Sequence, residues 1–263
     1  MSDWLHNLPV PWMALVIFGF TYLLAASIYA VVARLATEKR AASFKAISPG
    51  MLPVLGIIFG LFVAFTAAQV WGDSDRASAA VSREASALRS AVLLGAGLPA
   101  ETEARLQGYV RAYVEQAATV EWPMMARHAA SLKAAPPALA DALQLVITMT
   151  PRGAGQQTAQ REIVTALEQA LDARRQRIII SMAAVNPVKW WCLYLQAACA
   201  LLVIGLVHCD NRLAASIAMG LFATGVAASV LLIAAHDRPF TGEISITPEP
   251  LLQIMPDAPP KRG

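Results

Sequence analysis

The stretch from Pro49 to Trp71, read as PGMLPVLGIIFGLFVAFTAAQVW, contains no charged side chain. About 20 consecutive apolar residues are enough to cross a lipid bilayer as a helix. Three more stretches reach spanning length, at about residues 10–33, 188–208 and 213–235. Only 15% of all residues are charged, below the roughly 25% of soluble domains. The sequence therefore predicts an integral membrane protein with four transmembrane helices.

Between the second and third spans lies a polar, alanine-rich region of helical periodicity, with helix breaks at 95–99, 136–137 and 151–153. The predicted fold class is all-α, with a helical extramembrane bundle between the second and third transmembrane helices. We predict about four antiparallel helices, the last over about 156–184, continuous with the membrane helices at both ends. The predicted parts are a membrane hairpin over 1–71, the bundle over 72–187, a second membrane hairpin over 188–235 and a tail over 236–263, rich in proline and extended along the surface.

Two stripes run along the second span. Small residues at a spacing of three or four, a pattern that lets helices approach closely in lipid, predict a helix-packing face formed by Gly56, Gly60, Ala64 and Ala67. A neighbouring stripe contains the pore-lining candidates Phe59, Phe62, Thr66 and Gln69. Aromatic rings can gate a pore by dewetting, and polar groups can hold ions or water. The alternative is that the phenylalanines face lipid and that Thr66 bonds to its own backbone.

Beyond Trp71 the pattern predicts an amphipathic helix to about Gly95. Its apolar face contains Ala77, Val81, Leu88 and Val92, with Arg83, Glu84 and Arg89 elsewhere around the helix. Glu84 follows the second span at about the distance by which Arg174 and Arg175 precede the third. These residues are candidates for an ion pair between the two membrane-proximal helices. A solvated surface charge is the equally weighted alternative.

Glu121-Trp122-Pro123 interrupts the next helix pattern, since proline disfavours helical geometry in the residue before it. The segment is either a contact between subunits or a simple helix break with a packed indole.

The sequence lacks the motifs of hydrolases, metalloproteases, phosphate loops and dinucleotide sites. Its four histidines form no ligand-spaced pair, and Cys192 and Cys199 share a helix face without a third ligand. A net charge of +3 without a basic block argues against nucleic acid as a partner. We therefore expect no enzyme activity, no metal and no cofactor.

The loop after the first span is basic, with Arg34, Lys39, Arg40 and Lys45 against a single Glu38. Basic short loops stay in the cytoplasm, so this loop predicts that the extramembrane bundle lies on the non-cytoplasmic side. The first span has no basic residue before it and is expected to be a permanent anchor rather than a signal peptide.

Several motifs together resemble the bestrophin-like domain family of bacterial membrane proteins. They are FGLFVAF with VW (59–65, 70–71), REASALR (83–89), EWP (121–123), DARR (172–175) and DRPFTGEISITPEPL (237–251). The tail motif is the most specific, and its residues Arg238, Pro239, Phe240, Gly242 and Glu243 join Glu121, Trp122 and Pro123 as the family-motif positions.

Bestrophins are oligomeric chloride channels with four membrane segments per subunit, a helical soluble region and a pore lined by the second segment. The resemblance thus implies a homo-oligomeric channel in the bacterial inner membrane, conducting small inorganic ions, with anions favoured and an aromatic constriction at Phe59 and Phe62. The alternative function is a non-conducting sensor or scaffold whose bundle binds another envelope component. The resemblance also implies a cytoplasmic bundle, opposite to the side that the basic loop predicts. No acidic cluster resembles a calcium site, so calcium gating does not follow.

Overall fold

The computed structural model describes residues 3–36, 44, 50–133 and 135–255. All regular structure within these residues is helical, which confirms the predicted all-α fold class. Three of the basic residues used to predict the topology, Lys39, Arg40 and Lys45, lie outside the described residues.

We number the described helices in chain order. They are α1 (Asp3–His6), α2 (Val10–Leu35), α3 (Met51–Gly95), α4 (Ala100–Gln116), α5 (Trp122–Ala126), α6 (Pro137–Thr148), α7 (Ala154–Ser181), α8 (Pro187–Val207), α9 (Arg212–His236) and α10 (Glu249–Leu252). A π-helical turn over Ala117–Glu121 joins α4 to α5.

Four of the described helices are long and apolar enough to cross a membrane. These are α2, α3, α8 and α9, whose most apolar 18-residue windows have mean hydropathies between 2.0 and 2.3. The ends of α2, α8 and α9 lie within two residues of the predicted spans. The protein is a multi-pass membrane protein.

Helix α3 continues well past its membrane-spanning part. It has 45 residues, or roughly 68 Å at about 1.5 Å per residue, whereas the hydrocarbon core of a bilayer is about 30 Å thick. No proline or glycine pair interrupts it between Pro53 and Gly95, so the predicted continuity between second span and bundle is correct.

The predicted continuity at the other end of the bundle is wrong. Helix α7 ends at Ser181 and α8 begins only at Pro187. Proline cannot donate a backbone hydrogen bond to a preceding turn, and it disfavours helical geometry at Asn186. The side chain of Asn186 instead caps α8 by accepting a hydrogen bond from the backbone N–H of Val188 at 2.9 Å.

The described chain divides into two compact units. The membrane unit comprises residues 1–72, 184–238 and 242–244, and the bundle unit comprises 73–183, 239–241 and 245–263. In the membrane unit α9 packs against α2 and α8, and α2 packs against α8. In the bundle unit α6 packs against α4 and α7.

Small side chains let the helices of the membrane unit approach closely. Ala197 and Ala200 of α8 and Ala223 and Ala227 of α9 are fully buried. A Cβ atom added at Gly205 would lie 3.4 Å from side-chain atoms of both Met219 and Val32. This is the packing expected in lipid, where water exclusion does not draw apolar helices together.

The bundle unit has a conventional core of large aliphatic side chains. Its fully buried members include Leu88, Leu106, Val110, Val114, Leu139, Val146, Ile163 and Leu167. They come from the bundle part of α3 and from α4, α6 and α7. Their burial from water is the main term that holds this unit together.

The helix break predicted at Glu121-Trp122-Pro123 is wrong, although the packed indole is correct. The chain stays helical through a widened turn, in which the N–H of Trp122 donates to the carbonyl oxygen of Ala117. The ring of Pro123 would clash with the carbonyl of Thr119 in a regular α-helix. The π turn accommodates that ring and keeps the helix running to Ala126.

The proline content of the tail predicted a segment that lies along the surface. This prediction is wrong, because part of the tail is buried. Asp237 is buried in the membrane unit, and Phe240 and Leu251 are buried in the bundle unit. The backbone N–H of Ile246 donates to the carbonyl oxygen of Pro239 at 2.8 Å, which folds the tail back on itself. Apolar side chains placed between the prolines therefore anchor this segment.

Candidate functional site

The predicted pore-lining stripe faces the interior of its own protomer at two positions. Phe59 is only 7% exposed, and its ring packs against that of Phe222 with centroids 5.7 Å apart. Thr66 is also buried, and its hydroxyl donates to the carbonyl oxygen of Phe62 at 2.8 Å. Phe62 itself is half-buried. The Thr66 bond is the backbone bond considered as the alternative from the sequence.

Gln69, the most polar member of the stripe, is half-buried. Its side-chain oxygen accepts a hydrogen bond from the Nζ atom of Lys189, at the start of α8. This contact ties α3 to α8 inside the membrane unit. It also provides a polar partner for an amide that would otherwise be costly to place in lipid.

An adjacent face of α3 is exposed. It contains Ile57, Leu61 and Phe65, which are 62%, 53% and 73% exposed. Gly56, Gly60 and Ala64 of the predicted helix-packing face are exposed as well, whereas Ala67 is buried. A Cβ atom added at either glycine would meet nothing within 4 Å. Packing by these small residues remains a prediction, because no described residue of the protomer contacts the two glycines at this face.

A buried cluster of charges occupies the bundle unit, with Arg177 of α7 at its centre. The side chain of Arg177 is fully buried. Its Nε atom donates to Glu84 Oε2 at 2.7 Å and its Nη2 atom to Glu84 Oε1 at 3.1 Å. Nη2 also donates to Glu121 Oε2 at 2.9 Å. The phenolic hydroxyl of Tyr113 donates to Glu84 Oε1. Four helical segments thus share one network.

The predicted ion pair of Glu84 has a different partner from the one expected. Glu84 pairs with Arg177, whereas Arg174 donates from Nε and Nη2 to Glu121 Oε1 at 2.8 and 2.6 Å. Arg175 is exposed. The reason is helical spacing, since positions 174 and 177 lie on the buried face of α7 and position 175 does not.

The prediction that Glu84 lies with Arg83 and Arg89, away from the apolar face of its helix, is also wrong. The carboxylate is 0% exposed, and it lies between Val81 and Leu88 on the inner face of α3. Arg83 and Arg89 are on the outside, as predicted. The two carboxylates and two guanidiniums of the cluster balance in charge, which is how ionised side chains become tolerable in a protein interior.

Two pKa values in the cluster are shifted upward. Burial raises the pKa of the Tyr113 hydroxyl well above its usual value, and the nearby Glu84 carboxylate raises it further. Burial by itself would lower the pKa of Arg177, but the nearby Glu84 carboxylate, which also accepts its hydrogen bonds, outweighs this, so the pKa is raised. Arg177 is therefore permanently charged, and Tyr113 stays protonated at any physiological pH.

Trp122 connects the charge cluster to the tail. The guanidinium carbon of Arg177 lies 4.6 Å from the centroid of the Trp122 ring, a cation–π contact. The ring of Phe240 packs edge-on against the same indole at 5.7 Å. The indole Nε1 donates to the carbonyl oxygen of Ile246 at 2.9 Å. Within one protomer this supports the packed indole and leaves the subunit contact untested.

Three further tail-motif residues, Arg238, Gly242 and Glu243, lie in the membrane unit, whereas Pro239 lies in the bundle unit with Phe240. Gly242 adopts φ of +90°, and an added Cβ atom would approach the carbonyl oxygen of His6 to 3.0 Å. This position requires glycine. The carboxylate of Glu243 accepts a hydrogen bond from the backbone N–H of Val10 at 3.1 Å, next to the positive end of the α2 dipole. Arg238 is half-buried.

Among the described residues, no three His, Cys, Asp or Glu side chains gather as metal ligands. Cys192, Cys199 and Cys209 are present as free thiols.

The bestrophin-like domain matches this chain over residues 19–251. The chain belongs to the bestrophin-like domain family. No match was found among curated proteins.

The fold agrees with this membership. A crystal structure of a bacterial bestrophin homologue from Klebsiella pneumoniae, a point mutant, has a TM-score of 0.69 and 13% identity to this chain, over 90% of this chain and 96% of that one. A second point mutant of this homologue has a TM-score of 0.67 and 13% identity, over 90% of this chain and 98% of that one. A crystal structure described as a membrane protein has a TM-score of 0.69 and 13% identity, over 91% of this chain and 99% of that one.

In this bestrophin-like chain four of the quoted motifs meet in the bundle unit. REASALR contributes Glu84, EWP contributes Glu121 and Trp122, DARR contributes Arg174, and the tail contributes Phe240. Sequence reasoning missed two members of this cluster, Tyr113 and the central residue Arg177. The signal was present, because Arg177 follows Ala170, Ala173 and Arg174 at the spacing of the apolar face of α7.

Proposed function

We propose that this protein is a homo-oligomeric ion channel of the bestrophin type, with its pore lined by α3. The supporting observation is the combination of family membership over residues 19–251 with a bestrophin fold over 90% of the chain. Conduction of anions is proposed from the family resemblance. A channel in a lipid bilayer needs no catalytic residue, metal or cofactor.

The burial of the spans supports α3 as the pore helix. Only 17% of the most apolar window of α3 is buried within the protomer, against 39% for both α8 and α9. A pore between copies must be lined by a helix surface that the protomer itself leaves open. Helix α3 leaves the largest share of its apolar surface available for this purpose.

The exposed fractions of the side chains favour one face of α3 as the pore lining. We propose that Leu61 and Phe65 point toward the pore, because both are more than half exposed. Phe59 and Thr66 are buried in the protomer and would support the lining from behind, with Phe62 and Gln69 at its edge. A ring of leucine or phenylalanine side chains can close a pore to ions by excluding water.

Single-channel recording in planar bilayers tests both the channel function and the proposal that Leu61 and Phe65 line the pore. We expect discrete currents from the purified protein, with a reversal potential under a salt gradient that indicates anions. Phe65→Ala widens the proposed constriction and should raise the unitary conductance. The matched variant Phe59→Ala, on the buried face, should leave it nearly unchanged.

Cysteine modification provides a second test of the face. In a background with Cys192, Cys199 and Cys209 replaced by alanine, a charged thiol reagent should alter current through Leu61→Cys and leave Phe59→Cys unaffected. The reverse result would establish the stripe predicted from the sequence. No current from a folded, oligomeric sample at any voltage or orientation would favour the sensor or scaffold instead.

We also propose an inner-membrane location with the bundle unit on the non-cytoplasmic side. The argument is the basic loop that begins at Arg34, and the short loop between α8 and α9 lies on the same side and ends in Arg212. A reporter enzyme active only outside the cytoplasm, fused after residue 263, tests this placement. Activity of the fusion is expected, and its absence with activity of a cytoplasmic reporter would reverse the orientation.

A further inference from the structure

A small pocket in the bundle unit opens beside the π turn. Its volume is about 220 Å³. Most of its wall is apolar and includes Val120, Met124, Pro136 and Ile178. The charged side chains that line it are Arg174, Glu121 and Lys133. Apolar walls with a few convergent polar groups are the usual composition of a small-molecule site.

Arg174 lines this pocket, and one nitrogen of its guanidinium, Nη1, takes no part in the ion pair with Glu121. Only 8% of the residue is exposed, and its Nε and Nη2 atoms both donate to Glu121 Oε1. In the described part of the chain the Nη1 atom of Arg174 makes no hydrogen bond. A guanidinium held by one carboxylate along one edge can bind a second anion along the other.

The local charge balance also favours an anion. The second oxygen of Glu121 is occupied by Arg177, whose charge is shared with Glu84. The four charges of the buried cluster therefore balance, and Lys133 adds a positive charge at the pocket wall. An entering anion would therefore meet a net positive site.

We propose that this pocket binds a small monocarboxylate with an apolar tail. The carboxylate would accept from Nη1 of Arg174, with Lys133 nearby, and the tail would contact Val120, Pro136 and Ile178. A phosphate or sulfate fits less well, because much of the wall could not pair with its additional oxygens. This inference concerns the bundle unit and does not depend on channel activity.

Calorimetric titration of the full-length protein in detergent with benzoate and with butyrate is the direct test. Saturable binding of at least one acid is expected, whereas benzamide and butyramide, which keep the shape without the charge, should not bind. Equal binding of acid and amide would overturn the proposal. So would the absence of saturable binding up to tens of millimolar ligand in a folded sample.

Variants locate the site. Ala135→Trp fills the pocket from an exposed wall position and should abolish binding, and Ala140→Trp, exposed on α6 outside the pocket, is the size-matched control. Lys133→Gln should weaken binding about two- to fivefold, and Arg174→Gln about tenfold or more. Arg174→Gln also removes an ion-pair partner of Glu121 and can disturb the fold. The comparison of Ala135→Trp with Ala140→Trp, both at exposed positions, is therefore the decisive one. Unchanged binding by Ala135→Trp would overturn the proposed location.

Discussion

The membrane unit and the bundle unit satisfy their buried polar groups in different ways. In the membrane unit the buried hydroxyls of Thr21 and Thr66 donate to carbonyl oxygens of their own helices, each at 2.8 Å. In the bundle unit the buried cluster joins separate helices through Glu84, Glu121, Arg174 and Arg177. The difference follows from the solvent, because lipid cannot hydrate a polar group before or after the helices pack.

Besides the bond between Gln69 and Lys189, one buried contact of the membrane unit joins separate parts of the chain. The Nε2 atom of buried His6 lies 3.1 Å from Asp237 Oδ2, and Asp237 Oδ1 accepts from the backbone N–H of Val185 at 2.6 Å. These residues lie at helix ends, outside the four spans. The ionisable side chains of this contact are therefore kept out of the apolar windows, where charge is most costly.

The two units therefore use different interactions to determine which helix surfaces pack together. Close packing of alanine and glycine positions the spans, as Gly205 shows between Met219 and Val32. Large aliphatic residues stabilise the bundle, and the buried ion cluster sets which helix surfaces can meet. Buried ion pairs contribute little net stability, but removing one partner is strongly destabilising.

The largest expected effect is the loss of Arg177. Arg177→Leu leaves the Glu84 carboxylate buried with only Tyr113 as donor, and the expected destabilisation is about 3–5 kcal/mol. Thermal unfolding in detergent would show the loss as a lower transition or an aggregated sample. The control Arg175→Leu changes an exposed neighbour and should shift stability by less than about 0.5 kcal/mol. Similar effects of the two variants would mean that the cluster does not order the bundle.

Tyr113→Phe should cost about 2 kcal/mol near neutral pH, because a hydrogen bond to a charged carboxylate is lost. The pKa of Tyr113 is raised above its ordinary 10.0 in the folded state. Stability from this group is therefore complete below about pH 10 and falls as pH rises further, since the unfolded chain loses the proton first.

Unfolding midpoints at about pH 8 and about pH 11 test the sign of this dependence. The wild type should lose more stability than Tyr113→Phe between the two values. Absorbance of tyrosinate near the alkaline end should rise by a larger step on unfolding of the wild type than of Tyr113→Phe. An equal decline in both proteins would place the alkaline sensitivity elsewhere.

A smaller effect is expected in the membrane unit from Phe59→Ala. The change removes the ring contact with Phe222 and should cost about 1 kcal/mol, since lipid lessens the penalty of leaving apolar surface unburied. Phe65→Ala, at a position 73% exposed, should leave protomer stability nearly unchanged. Unfolding in mixed micelles measures both, and a larger loss for Phe65→Ala would mean that this side chain is buried in the assembly.

The smallest effect on the protomer is expected from Gly60→Leu, because an added side chain meets nothing within 4 Å. Its effect should instead appear in assembly, if copies pack through this face. Size-exclusion chromatography with light scattering should then show a smaller oligomer. The matched variant Gly205→Leu should harm the fold itself, and an unchanged oligomer in Gly60→Leu would exclude this face from the interface.

Much of the architecture follows from the sequence alone. Uninterrupted apolar stretches determine the four spans, because hydrophobic length is a local property that no tertiary contact needs to supply. The prolines at 136–137 and the Pro151–Gly153 segment likewise mark the ends of α6 and the start of α7. The motifs between Phe59 and Leu251 indicate the family without any knowledge of the tertiary structure.

Tertiary structure decided which side chains meet. The sequence offered Glu84 two partners, Arg174 and Arg175, and only the packing of α3 against α7 shows that Arg177 pairs with it instead. It likewise decided that Phe59 faces Phe222 while Phe65 remains open. Helical spacing determines which residues share a face, but the direction of that face depends on neighbours far away in the chain.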